Sequence, residues 1–432
     1  MSDDIFTDDF SQDPYWWEEA PRPESSGMVL PKSADVLVVG GGFTGTSAAL
    51  TLARAGRSVV VCEAGRTGEG ASTRNGGMIG SGHRLPSAAL IKRYGQEMAM
   101  AILKEGVAAL EFTSGLIERE GIDCHFQRCG RFRGAHTPAL YEAMAREVEQ
   151  LRRTIALDAT LVDGDNVRGQ VASDLYCGGA VYNSHGGLHP ALFHRGLVAR
   201  LSEAGGTYVD RCAVTGIARE GDRFHVGTDR GSVAARDVIV ATNGYTGAES
   251  PVLRRRIVPA FSYMIATEEL GESRVRALIP SGRMIVETRA DHCYYRPSPD
   301  GRRILLGGRS ALRGIGVKAS ARRLHAFLLT IFPELEGVRI SHSWRGQLAF
   351  TRDHVPHIGV RNGVHHALGY SGSGVAMAPY LGHRVAQKVL GADVAPSPLE
   401  KAPMPVIPGY WGAPWFLPLM DAWRSAQRLA GR

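Results

Sequence analysis

The sequence predicts an α/β chain, α+β overall, in which a Rossmann-like domain is interleaved with a second domain built on a mostly antiparallel sheet. Three observations carry that expectation. Between residues 35 and 63 an apolar strand, a glycine-rich turn, a small-residue helix, a second strand and an acid follow one another, the order of a βαβ nucleotide unit. Residues 257–310 instead break into short stretches separated by turns, with Pro-Asp-Gly at 299–301, the pattern of antiparallel strands. Small-residue segments return beyond residue 338 and lead into a last apolar helix, so the two units are threaded through each other rather than placed end to end.

The composition is that of a folded chain. Hydrophobic residues make up 44% and charged residues 22% of 432, too apolar for wholesale disorder. Glycine is raised, at 53 residues, without a three-residue period or a matching rise in proline, which excludes a collagen-like chain. Twelve of these glycines fall within residues 40–82, so the excess is local and needs a local reason. The net charge of +7 is uneven, because residues 1–30 hold eight Asp or Glu against one Arg. The longest basic run is Arg254-Arg255-Arg256, so the basic body reads as solvated surface and no nucleic-acid partner is expected. No apolar run reaches the roughly 18 residues that span a bilayer, so integral membrane association is not expected. The acidic start lacks the basic and apolar regions of an export signal. With six scattered cysteines in no metal spacing, a cytoplasmic location with reduced thiols is expected. His354 and His357 form an HxxH, but Pro356 lies between them and no third ligand is evident, so no metal is expected.

Taken in order, residues 1–30 read as an irregular acidic arm around an aromatic knot, Tyr15-Trp16-Trp17. Residues 35–39 are a strand, 45–55 a helix closed by Gly56, and 58–62 a strand. Helices are expected over 87–120, 138–157, 188–204, 320–332 and 374–390, where apolar residues recur without breakers. Strands are expected at 238–241, 285–288, 293–296 and 304–306. The resulting division places an arm at 1–32, the nucleotide domain at 33–110, 187–250 and 338–395, the second domain at 111–186 and 251–337, and a Pro- and Trp-rich tail at 396–432.

The chemistry begins at Gly40-Gly41-Gly42-Phe43-Thr44-Gly45, a GxGxxG between strand and helix. Gly40 permits the tight turn, Gly42 lets a pyrophosphate approach the backbone, and Gly45 lets helix and strand pack closely. The helix N-terminus offers free N–H groups and the positive dipole end to a diphosphate. Glu63 can accept from ribose hydroxyls and repels a 2′-phosphate, so NADP is not expected. Three further stretches suit a long, extended cofactor. Gly68-Glu69-Gly70-Ala71-Ser72-Thr73-Arg74-Asn75-Gly76-Gly77-Met78 supplies small residues, a hydroxyl and a guanidinium. Asp237 to Gly244 is a strand running into a small-residue turn, and Gly369-Tyr370-Ser371-Gly372-Ser373-Gly374-Val375 opens the last helix. No second GxGxxG follows a strand, so a nicotinamide electron donor is not expected and the electrons come from the substrate.

These residues resemble the FAD-dependent amine and amino-acid oxidase superfamily of the D-amino-acid oxidase, glycine oxidase and sarcosine oxidase type. Further matching stretches are Gly178 to Tyr182 with Gly187-Leu188-His189-Pro190, Tyr294-Tyr295-Arg296-Pro297, Leu306-Gly307-Gly308-Arg309, and Trp344-Arg345-Gly346 with Pro356-His357-Ile358-Gly359. The resemblance spans residues 33–395. Within the superfamily the segment 68–78, the Tyr15-Trp16 pair and the Pro414-Trp415-Phe416-Leu417-Pro418 tail are most similar to the gamma-glutamylputrescine oxidoreductase branch. The resemblance implies FAD held by Gly40, Gly42, Phe43, Thr44, Gly45, Glu63 and Ala64. It adds Gly70, Ala71, Ser72, Arg74, Asn75, Gly76, Gly77 and Met78 from the following loop. Val214, Ala241, Thr242, Asn243, Gly244, Gly346, Gly372, Ser373, Gly374 and Val375 complete the set. Sarcosine oxidases carry a flavin-linking Cys in the stretch corresponding to 345–353, and none stands here, so the FAD is expected to be non-covalent. Their oxygen-activating Lys would fall near Leu305, which leaves O2, a quinone or another carrier open as electron acceptor.

The implied reaction oxidises a C–N bond of an amine or amino acid, such as a gamma-glutamylputrescine-like compound, a secondary amine or a D-amino acid. Hydride passes to flavin N5 and the imine product hydrolyses. Tyr294, Arg309, His357 and Tyr370 are the substrate-side candidates, with His83, Arg296 and Trp344 also in view. Arg309 or Arg296 could pair a substrate carboxylate, or be bound up in structural ion pairs. Two other readings share the fold, a 2-hydroxy-acid or glycerol-phosphate type dehydrogenase and a non-catalytic flavoprotein subunit. A monomer or a homodimer is compatible with the sequence. The tail residues Trp415, Phe416, Leu417, Trp423, Arg424 and Arg428 either touch a membrane peripherally or pack on the body or a partner copy.

Overall fold

The computed structural model describes residues 5–25, 27–289, 293–308 and 314–420. Two large sheets organise them. In the first, the strand Ser33–Val39 lies between parallel neighbours Val59–Cys62 and Gly231–Val240. Thr207–Val209 extends it in parallel, and Val214–Glu220 with Arg223–Thr228 forms an antiparallel edge. Val36 and Val38 enter one core while Leu37 and Val39 enter another, which is why this stretch reads as an unbroken apolar run. The helix Phe43–Arg54 covers one face and crosses the helix Gly374–Val389. A Cβ on Gly382 would lie 2.2 Å from the Thr44 carbonyl oxygen, so that glycine sets how closely the two helices approach. Ser47 Oγ donates to the Pro379 carbonyl at 2.7 Å across the same crossing.

The second sheet has nine strands in the order Phe6–Ser11, Ile340–Phe350, Val258–Thr267, Ile304–Gly308, Tyr294–Pro297, Met284–Glu287, Arg131–Ala135, Gly178–Tyr182 and Ala159–Asp163. Its pairs are antiparallel except the first and that between Met284–Glu287 and Arg131–Ala135. Phe132, Ile285, Tyr295 and Tyr263 point into a core shared with the helix Val317–Ile331. Strand alternation then sends Arg131, Arg133, Val286, Tyr294 and Met264 to the opposite face, where they line one large cavity.

Three elements depart from the sequence expectation. The N-terminal arm is ordered: Phe6–Ser11 pairs in parallel with Ile340–Phe350, and Trp16–Glu19 is a helical turn. The aromatic knot explains this, since Trp16 and Trp17 are buried and their indole N–H groups donate to the Asn75 carbonyl (2.8 Å) and Thr73 Oγ1 (3.1 Å). Ile340–Phe350, grouped by sequence with the nucleotide domain, belongs to the nine-stranded sheet. The helix expected over 87–120 is two, Ser87–Tyr94 and Gln96–Arg119, parted by Gly95 at φ +81°. Among the described residues no helix is long and apolar enough to cross a membrane.

Candidate active site

The turn after Ser33–Val39 builds the first part of the site. Gly40 sits at φ +97°, a conformation that suits glycine. A Cβ on Gly45 would fall 1.9 Å from the Gly40 carbonyl oxygen and 3.1 Å from Val38 Cγ1, so any side chain there would push helix off strand. Thr46 Oγ1, Tyr208 OH and His194 Nε2 converge on the Gly41 carbonyl at 3.0, 3.0 and 2.6 Å. Burial lowers the His194 pKa, so the ring is neutral and donates through Nε2. With that carbonyl pinned, the N–H groups of Gly41 and Phe43 reach Glu63 Oε2 (2.8 Å) and Ser72 Oγ (3.0 Å). Glu63 also accepts from Gly65 N–H at 3.0 Å, across Ala64. Burial raises the Glu63 carboxyl, against the pull of these two amides.

Neighbouring turns close around this edge. The Ala241 N–H donates to the Val39 carbonyl at 2.8 Å, and the Cys212 N–H to the Glu63 carbonyl at 2.8 Å, two residues before Val214. Thr242 leads into Asn243, which sits at φ +46° and accepts from the Gly369 N–H at 2.9 Å. A Cβ on Gly244 would meet the Leu348 carbonyl oxygen at 2.7 Å. Gly40 to Gly45, Glu63 with Ala64, and Ala241 to Gly244 thus share one rim, and Ser72 ties it to the loop 70–78.

That loop forms one wall of a cavity of about 1010 Å³. Ala71, Arg74, Asn75, Gly76 and Met78 face it from this side, Tyr294, Met264 and Gly346 from the nine-stranded sheet, and Gly372, Ser373 and Val375 from the start of Gly374–Val389. The Tyr294 ring lies between Gly76 and Gly307, where a Cβ would approach it to 2.7 and 2.3 Å. Asn75 folds its own turn, donating to the Ala71 and Ser72 carbonyls and accepting from the Gly77 N–H. Gly372 has φ +103° and nothing within 4 Å of a Cβ position, so backbone is open to the cavity there. Phe416, Leu417 and Met420 of the tail line the cavity as well, and Leu417 packs with Val258 and Tyr410. Trp415 is exposed, while Trp423, Arg424 and Arg428 lie outside the described residues.

Several substrate-side expectations need correction. Tyr370 is buried and its hydroxyl is 2.6 Å from Thr44 Oγ1, so it joins loop to helix rather than facing the cavity, and it occupies the Thr44 side chain. Tyr370→Phe is expected to cost about 1 kcal/mol of stability, the worth of one buried hydrogen bond, with kcat as in wild type. A melting scan beside turnover on the same preparation checks this. His357 is buried with Nε2 3.0 Å from Asp353 Oδ1, whose other oxygen accepts from Tyr94 OH at 2.9 Å; it braces a loop. Trp344 is buried and donates to the Arg74 carbonyl at 2.9 Å. Arg296 is buried and donates through Nε and Nη1 to the carbonyls of Gly76, Gly77, Leu188 and Pro297, so it supports the loop. His83 lines the cavity, yet its Nε2 presses on Gly106, and burial lowers its pKa to about 4, leaving it neutral. Arg309 lies outside the described residues. No group of three or more His, Cys, Asp or Glu among the described residues could hold a metal.

A βαβ glycine turn joined by a glycine loop to a cavity over a second sheet is the architecture of a flavoprotein oxidoreductase. The chain belongs to the FAD dependent oxidoreductase (DAO) family, which residues 35–388 match. It is 34% identical over 362 residues to the gamma-glutamylputrescine oxidoreductase of Escherichia coli, covering 83% of this chain and 84% of that protein. It is 30% identical over 401 residues to the probable oxidoreductase OrdL of Rhizobium meliloti, covering 91% and 92%. The crystal structure of glycine oxidase from Geobacillus kaustophilus shares the fold, with a TM-score of 0.71 at 20% identity over 88% of this chain and 100% of that one. The protein is therefore an FAD-dependent oxidoreductase.

Proposed function

We propose that this chain oxidises the C–N bond of an amine of the gamma-glutamylputrescine-like, secondary-amine or D-amino-acid kind, using non-covalent FAD. The diphosphate fits against Gly40 to Gly45 and the adenosine ribose against Glu63. The loop 70–78, Gly346 and the turn 372–375 hold the flavin end. Bound FAD supplies the acceptor for a hydride from the carbon next to nitrogen. The chain's own part is to place that carbon, exclude water and present a neutral amine, whose lone pair forms the C=N bond of an iminium as the hydride leaves, the imine following by loss of the nitrogen's proton to water. Water then hydrolyses the imine in the usual way. The observation that supports this reading best is the shared cavity: the loop tied to the diphosphate turn forms one wall, and Tyr294, clasped by Gly76 and Gly307, stands on the other.

The experiment is anaerobic reduction of the purified yellow protein by a panel of amines, D- and L-amino acids and 2-hydroxy acids. Bleaching of the visible flavin band by amines, with FAD released by acid, is the expected result. Bleaching only by hydroxy acids or glycerol phosphate overturns it. Readmitting air or a quinone to the bleached protein then identifies the electron acceptor.

A further inference from the structure

Among the arginines of the cavity wall that have no part in the reading above, Arg131 is distinctive. Arg131 stands on the cavity face of the nine-stranded sheet, level with Met284 on one side and Tyr182 on the other. Its guanidinium passes over Gly80, where a Cβ would lie 2.3 Å from Nη2. Both Nε and Nη2 donate to His185 Nδ1, at 3.1 and 2.7 Å. Burial, together with the guanidinium charge, holds the His185 pKa well below its usual value. The imidazole is therefore neutral, with Nδ1 accepting from the guanidinium and Nε2 held by Ser81, 3.1 Å from its N–H and 2.9 Å from its Oγ. Tyr182 stacks on the ring at 5.1 Å. His185 thus orients the guanidinium without neutralising it.

Its neighbours differ. Arg133 pairs with Glu147 at 3.6 Å and Arg289 with Glu287 at 2.8 Å. Among the described residues Arg131 makes no ion pair, and burial lowers its pKa only to about 10, so it stays charged at neutral pH. A desolvated cation without a counter-charge is costly, and a cavity wall that keeps one is complementary to an anion.

We propose that Arg131 binds a carboxylate of the amine substrate, with His185 as its positioning residue; the inference rests on the amine-oxidising reading above. Two strand spacings separate Arg131 from Tyr294, roughly 10 Å across the sheet. The substrate class is accordingly an amine whose carboxylate lies several bonds from the oxidised C–N, rather than on the same carbon.

The test compares anaerobic flavin reduction by ω-amino acids of increasing length with reduction by their methyl esters. Wild type is expected to favour the acid by roughly 10- to 100-fold in kcat/KM, the worth of a charge-assisted hydrogen bond, mainly through KM, and more for the longer chains. Arg131→Met is expected to abolish that preference and Arg131→Lys to restore part of it. FAD content and far-ultraviolet circular dichroism establish that each variant is folded and loaded. A preference that survives in loaded Arg131→Met, or that is missing from wild type, overturns the proposal. Thermal melting with glutarate, a dicarboxylate with no amine to oxidise, provides an independent arm. Glutarate is expected to raise the melting temperature of wild type and not of Arg131→Met, and equal shifts in both overturn the proposal. If no amine bleaches the flavin while glutarate still depends on Arg131, the amine assignment fails and the anion site stands.

Discussion

Gly42→Val is expected to give a folded but colourless protein, with the bound FAD reduced at least 100-fold in affinity. Gly42 caps the helix Phe43–Arg54 at φ −77° and ψ −170°, an extended conformation that valine adopts without strain. The only atoms near a Cβ there belong to Ser72, with Oγ at 2.8 Å and its Cβ at 3.9 Å. The protein's own packing therefore opposes a Cβ there at one short hydroxyl. The branched methyls would stand where the diphosphate must approach the helix N-terminus, and losing those amide contacts removes several charge-assisted hydrogen bonds, each worth about 1.5–3 kcal/mol. Two measurements read the result: the ratio of visible flavin to protein absorbance after purification, and circular dichroism of the same sample. Wild-type colour in Gly42→Val would show that the diphosphate does not lie on this turn. Gly45→Val is the contrasting case. Its Cβ would strike the Gly40 carbonyl at 1.9 Å, so that variant should lose the fold and not merely the cofactor.

What could be read from the sequence follows the range of the interactions involved. The turn 40–45, its helix and the acid at Glu63 are set by residues within about two dozen positions, and the tight turn at Gly40 and the close helix packing at Gly45 are both present in the fold. Tyr294 and Tyr295 fall on opposite faces because a strand alternates, and that too is local. The arm escaped because its order comes from afar: Phe6 pairs with Ile340, and the Trp16 indole bonds Asn75. An acidic segment without periodicity gives no hint of such partners. Arg131-Phe132-Arg133 had a usable signal, two cations flanking one aromatic on a strand, but that pattern equally describes a solvated face. Only the loop carrying His185, and Gly80 beneath the guanidinium, show that this face is the inner one. The same holds for Tyr370, His357 and Arg296 on the substrate side. Side-chain type marks a residue that can bind a carboxylate or a flavin, whereas the partners that occupy it stand tens to hundreds of residues away.

Arg296→Met puts that distinction to the largest test. In the fold, Arg296 Nη1 donates to the Leu188 carbonyl at 2.9 Å and to Gly77 at 3.0 Å, with Gly76 at 3.4 Å and Nε to Pro297 at 3.0 Å. Burial lowers its pKa only to about 10, so a full charge is shared among backbone dipoles. Trp16 packs against it, 5.8 Å from ring centre to guanidinium carbon, which ties the N-terminal arm to the same strut. Methionine fills much of the volume but takes the guanidinium from three buried carbonyls, of which Gly77 keeps the Leu188 N–H at 2.8 Å. Relief from burying a charge offsets part of that, and a net loss of about 3 kcal/mol is expected. Because Gly76 and Gly77 are two of those carbonyls, the loop 70–78 should loosen and FAD should dissociate more readily, by roughly the tenfold that 1.4 kcal/mol represents. Arg296→Lys keeps the charge but not the planar fork, so it should recover only part of either loss. Melting temperature and FAD dissociation, measured on all three proteins, decide the matter. If Arg296→Met instead keeps stability and FAD binding and raises KM for acidic amines alone, Arg296 is the carboxylate ligand. In that event Arg131, two strands away on the same face, would have no need of a substrate anion of its own.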